Sequence, residues 1–302
     1  MSEPAPAVDL GLFGPQSVTW RLHGEPILWM AGFRALLLQA LHPRALAGVL
    51  QNSNFRADPW GRLFRTARFY GEVVYGTTPA ARTAGARVRR LHARMSAVDP
   101  DTGEAFGVDD PELLRWVYVT ATESFCSTAL RAGAPLSADD VVRYYEEQRV
   151  VAELVGLDPR SVPATPDDIE AYYERMRPAL RADADARAVA RFLAVPTLPW
   201  KLGWTPVRPL WMTVAAYGFS LLPPWARRLY GVPRLPATDL TATLTSRGLR
   251  TLTLPLSWLD GPIVRAARRR AAQSELAESE MRSTAAHGSR PGRAEPTGHA
   301  RR

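Results

Sequence analysis

A capping oxygen followed directly by proline recurs along this chain and constrains its fold more than any other feature. Asp58-Pro59, Thr78-Pro79, Asp110-Pro111 and Thr165-Pro166 all show it. Proline's fixed φ and missing N–H suit the first position of a helix. The oxygen before it accepts a hydrogen bond from an otherwise unpaired first-turn amide. Ser137 with Asp140, and Thr165 with Asp168, place an acid three residues past the cap, the pattern of a capping box. Between these starts, apolar residues recur at steps of three and four. The pattern predicts helices over 27–41, 43–53, 59–75, 79–97, 111–131, 138–155, 166–181, 183–194, 205–221, 224–230, 238–254 and 262–280. Strand signals are weak: Thr241 to Thr253 is rich in Thr and Leu, and Val98–Val108 around Gly103 suits a small turn or hairpin. The expected fold class is all-α, with one globular helical domain over 20–280. Segments 1–19 and 281–302 are polar, rich in Pro, Gly, Ser and Ala, and expected to be disordered.

Composition narrows the classes further. A chain of 302 residues can bury a sizeable core. Cys126 is the only cysteine, which excludes an internal disulfide framework and a cysteine-held metal cluster. That usage fits a reducing cytoplasm, the expected location. Residues 1–19 lack the charged start and apolar run of a targeting segment. The most apolar stretch, Leu210 to Pro223, is shorter than the roughly 20 residues of a spanning helix. It reads as a core helix or one resting on a membrane surface. The net charge of +8 is carried almost wholly by arginine, since Lys201 is the only lysine. Nine arginines against four glutamates from residue 262 onward hold five of those eight charges. A basic end of this kind is either a solvated tail or a contact for nucleic acid or anionic lipid.

Several enzyme classes are excluded by absent motifs. There is no GxGxxG or GxxxxGK[ST] phosphate loop, no HExxH, no Glu-x-x-His pair and no GxSxG. What remains are histidines and arginines. His287 and His299 lie in the tail, and His23 precedes Gly24 in an expected loop without an assigned role. His92 falls on an apolar stripe with Ala81, Ala84, Gly85, Val88, Leu91 and Met95. A buried imidazole there needs a partner, either a backbone carbonyl or a metal. Ala84 and Gly85 leave room beside it. On the preceding helix Arg62, Arg65, Thr66, Phe69 and Val73 share a face. The arginines suit bidentate carboxylate binding, or equally a surface pairing with Asp58 or Glu72. His42 precedes Pro43 and so sits at a helix break, where it either caps backbone or faces a cavity.

Taken together, MAGFRALLLQALHPRALAGV, NFRADPWGRLFRTARFYGEVVYGT and ARVRRLHARM resemble the MpaB/rubber oxygenase family of haem-dependent oxygenases. DPELLRWVYVTATES, RYYEEQRVVAELVGLDPRSVPAT and LLPPWARRLYGVP continue the resemblance across about residues 18–235. The resemblance implies a globin-like core holding one haem b, with His92 as the iron ligand and Arg62 and Thr66 lining the pocket. Where rubber-cleaving members carry a distal lysine, this chain has Arg65. Arginine stays protonated and has no lone pair for iron, so the implied distal side is open, with Arg65 donating to bound oxygen. The catalytic glutamate of those members has no clear counterpart. His42, if it faces the distal cavity, is the candidate acid–base group. The expected activity is oxygenation of an apolar organic substrate with O2, with an electron donor and a peripheral membrane contact left open. The alternatives are a haem or O2 carrier without turnover and a helical nucleic-acid-binding regulator. No helix-turn-helix signature supports the last, and no nucleic-acid partner is expected.

Overall fold

A computed structural model describes residues 8–53, 58–194, 207–232, 236–255 and 261–288. It is all-α apart from one small hairpin. The helices are α1 (Val18–His23), α2 (Leu28–Gln39), α3 (Pro43–Asn52), α4 (Pro59–Tyr75), α5 (Thr78–His92), α6 (Pro111–Arg131), α7 (Ala138–Val155), α8 (Pro166–Met176), α9 (Ala184–Ala194), α10 (Val207–Ser220), α11 (Pro224–Leu229), α12 (Pro236–Thr253) and α13 (Pro262–Gly288). Between α5 and α6, β1 (Ser96–Val98) pairs antiparallel with β2 (Ala105–Gly107), Ala97 facing Phe106.

The caps act largely as the sequence indicates. Asp58, Asp110 and Thr165 accept from first-turn amides, and Ser137 with Asp140 and Thr165 with Asp168 close capping boxes. Thr78 is an exception, because Thr77 caps α5 in its place. The Asp9 carboxylate has claimed Thr78, accepting from its N–H at 2.8 Å and its hydroxyl at 2.9 Å. An acid at a helix N-terminus is favoured by the backbone dipole. Other expectations are corrected. The helix expected over 166–181 ends at Met176 and passes into a 3-10 turn, because Pro178 cannot continue it. The helix expected over 238–254 is present, so Thr241 to Thr253 is helical despite its Thr and Leu content. From residue 8 onward the expected disordered start is described chain: Leu12 and Phe13 lie against the core, and Val18 and Leu22 of α1 are buried in it. At the other end α13 continues to Gly288, past the expected limit of 280. Residues 1–7 and 289–302 of the expected tails lie outside the described residues.

The core centres on α2 laid along α6, with α7 and α8 closing one side. Trp116, Tyr144, Leu37, Leu38 and Leu41 are essentially inaccessible there. At its heart is an ion pair. Arg34 on α2, only 4% exposed, donates to both carboxylate oxygens of Glu123 on α6, to Ser124 Oγ and to the Leu221 carbonyl. Tyr173 on α8 donates its hydroxyl to the same carboxylate at 3.0 Å. A buried charge pair is costly unless its hydrogen-bonding capacity is met, and here four chain segments meet it. Among the described residues no helix is long and apolar enough to cross a membrane.

Candidate functional site

α4 divides into two unequal halves. From Phe69 to Tyr75 it is built into the molecule, with Val73 and Val74 buried and Arg270 of α13 donating to the Tyr75 carbonyl at 2.6 Å. From Leu63 to Arg68 every residue is exposed. The arginine–threonine pair lies in this open half. Arg62 is partly buried and donates to Ser53 Oγ. Thr66 Oγ1 donates back to the Arg62 carbonyl at 3.1 Å, so the two are tied through one helical turn. Arg65 is 70% exposed and pairs with Asp58 at 3.1 Å. That is the surface pairing weighed from the sequence, with Asp58 as partner. Glu72 is taken by Arg68 and Arg87.

α5 returns antiparallel to α4 and ends at His92, earlier than the expected 97. The reason is the hairpin: Val108 N–H donates to the Met95 carbonyl and draws the chain out of the helix. The expected buried stripe therefore holds only in its first half. Ala81, Ala84 and Gly85 are buried, Leu91 is half exposed, and His92 is partly buried. The room expected beside Gly85 is filled by α7, since a Cβ there would lie 2.7 Å from the Leu154 carbonyl. His92 lies at the end of α5. Its Nδ1 is buried with no hydrogen-bond partner. Burial holds its pKa below the usual histidine range, the Arg62 charge adds to this, and Asp109 opposes it. The structure thus brings Arg62 and His92 into one electrostatic neighbourhood, with Thr66 and Arg65 on the next turn of α4.

His42 has a different setting. It is buried at the start of α3, where its Nδ1 accepts from the Ala45 N–H at 3.4 Å, and its ring lies 6.1 Å from that of Trp116. Burial lowers its pKa, and Arg44 lowers it further. With Nδ1 engaged as an acceptor, the neutral ring carries its proton on Nε2. It can donate from there but has no free lone pair to act as a base. His42 and His92 sense adjoining carboxylates, Asp110 and Asp109, of one turn.

His23 carries no motif that marks it in the sequence. Its ring lies 4.9 Å from Phe125, 5.9 Å from Tyr70 and 6.3 Å from Tyr144, and its Nε2 is buried without a partner. Burial pushes its pKa down to about 4. The only clues were Ser17 as a cap and the Val18–Leu22 spacing of a six-residue helix.

Chemically, the assembled residues offer a neutral imidazole, fixed positive charge and hydroxyl hydrogen bonding at the open end of a helix pair. No three His, Cys, Asp or Glu side chains converge as a metal site among the described residues. A cofactor that brings its own metal donors needs one protein ligand only, and an imidazole nitrogen without a hydrogen-bond partner, as in His92, is chemically suited to that part. A family model described as "ER-bound oxygenase mpaB/B'/Rubber oxygenase, catalytic domain" matches residues 20–274. No curated protein and no solved structure matches the chain.

Proposed function

The chain belongs to the MpaB/rubber oxygenase catalytic-domain family, and from that membership we propose that it is a haem-b-dependent oxygenase acting with O2 on an apolar organic substrate. One observation of the structure carries the reading. His92 is a partly buried imidazole with an unpartnered nitrogen, held beside the charge of Arg62. A neutral imidazole is the metal-binding form, and haem asks the protein for one such ligand because the macrocycle supplies four nitrogens itself. These residues fit the group.

When bound, haem supplies the O2 binding and activation that the side chains lack. The chain's own residues do the rest. His92 would hold the group, and its depressed basicity keeps the ring unprotonated at neutral pH. Arg62, tied to Ser53, is a fixed cation suited to a carboxylate. Thr66 accepts or donates one turn further on. Arg65, exposed and paired with Asp58, would be free to exchange that partner for another anion and to donate a hydrogen bond on the distal side of the group. His42 is assigned a donor's part through Nε2 and no longer that of a general base. Whether the reaction inserts one oxygen atom or cleaves a C=C bond depends on the substrate.

The test is the visible spectrum of the purified protein, expressed with haem supplied, beside His92→Ala. Wild type is expected to show a Soret band that the variant loses or shifts. A colourless wild type that takes up no haem would refute the reading.

A further inference from the structure

We propose that the outer surface shared by α4 and α5 is a docking face for an anionic lipid bilayer. This stands independently of any cofactor. Glu72 on α4 pairs with Arg68 one turn before it at 2.6 Å and with Arg87 on α5 at 2.8 Å. The bridge fixes the outer stripes of the two helices side by side. Because the helices run antiparallel, the turn preceding Arg68 lies alongside the turn following Arg87. The first carries Phe64, 67% exposed, and the second Arg90, Leu91 and Arg94, with Leu91 50% exposed.

The charge on this face is one-sided. α5 contains no acidic residue, and Glu72 neutralises only one of the two arginines it bridges. Among the described residues Arg90 and Arg94 have no side-chain partner. Unmatched guanidinium groups around an exposed phenyl ring and an exposed leucine match the boundary between anionic headgroups and acyl chains, which takes apolar side chains inward and arginines at the phosphate level. A nucleic acid would satisfy the arginines and leave Phe64 and Leu91 in water. An acidic protein would have to supply an apolar patch as well. Since no described helix spans a membrane, the contact is peripheral, and it weakens with salt.

The test is co-sedimentation of the full chain with vesicles of phosphatidylcholine alone or mixed with phosphatidylglycerol. Wild type is expected to pellet with the mixed vesicles, to stay in solution with the neutral ones, and to be released by high salt. Arg90→Glu with Arg94→Glu should lower partitioning at least about tenfold, since each basic residue near the surface contributes a several-fold factor. Phe64→Ser with Leu91→Ser should lower it without changing the salt dependence. All four positions are exposed, so circular dichroism should report unchanged folding. The basic end of the chain is checked by Arg290, Arg293, Arg301 and Arg302, each changed to Glu. If that variant stops pelleting while the α4/α5 variants pellet like wild type, the proposal is overturned. No pelleting of wild type with mixed vesicles also overturns it, and leaves an acidic protein as the reading of this face.

Discussion

The α2–α6–α8 core and the open end of the α4–α5 pair both contain arginines, and the protein treats them in opposite ways. In the core, Arg34 is sealed and each nitrogen of its guanidinium is answered by Glu123, Ser124 or the Leu221 carbonyl. At the open end, Arg65 stands mostly in water beside a similarly exposed Asp58. The two settings suit different ends. A buried pair with all its bonds met fixes one arrangement of four segments. An exposed pair contributes little to stability and keeps its groups free to meet something else.

The contrast can be broken at three places. Arg34→Ala strands Glu123 in the core and should cost about 3–5 kcal/mol of unfolding free energy in urea titration. A loss below about 1 kcal/mol would mean that the core pair is no better fixed than a surface one. The next effect is acid sensitivity. His23 has a folded pKa of about 4 against an ordinary 6.5, so the unfolded chain takes up a proton in that window and the folded one does not. Stability is full above about pH 6.5 and declines as the pH falls towards about 4, by about 3 kcal/mol at roughly 1.36 kcal/mol per unit. Tyr70 and Tyr144, which face the ring, stay neutral throughout, since burial raises both. His23→Phe should flatten the acid limb of a stability–pH curve; a variant with the same slope as wild type would show that other groups set it. Last, Arg65→Ala should change stability by less than about 1 kcal/mol, measured by the same titration, while Arg34→Ala does not escape its larger cost.

Much of the fold was legible because its helix starts are written in local chemistry. Asp58, Asp110, Ser137 and Thr165 each cap where their side chains predict, since capping depends on residues within one turn. What depends on distant residues was not legible. Thr78 looked like a cap until Asp9, remote in sequence, claimed its hydroxyl. Gly85 looked like open space, but α7 fills it. His92 could be placed on a helix face, yet the end of that helix was set by the Met95–Val108 bond of a hairpin. α1 was missed because six residues are too few for a periodicity to declare itself. Arg34 is the one charge on an otherwise apolar α2, but its pairing with Glu123 of α6 is a tertiary fact. At the site, Arg62, Thr66 and Arg65 on one turn of α4 followed from spacing, whereas the proximity of Arg62 to His92 required the antiparallel return of α5.

The Arg270 hydrogen bond to the Tyr75 carbonyl spans 195 residues, and the paired bonds of Arg250 to Glu25 span 225. Such closures join the first helices of the chain to nearly the last. During synthesis the amino-terminal helices can form early, since their hydrogen bonds are local, and Trp20 can meet Tyr75 at once, but the α13 side of the fixed end of α4 forms only after residue 270 has left the ribosome. Loops of this length close slowly and late. The nascent protein therefore spends most of its translation with Val74 and Tyr75 covered by Trp20 but not yet by Ile263, Val264 and Ala267, a part-covered apolar surface of the kind that folding chaperones recognise.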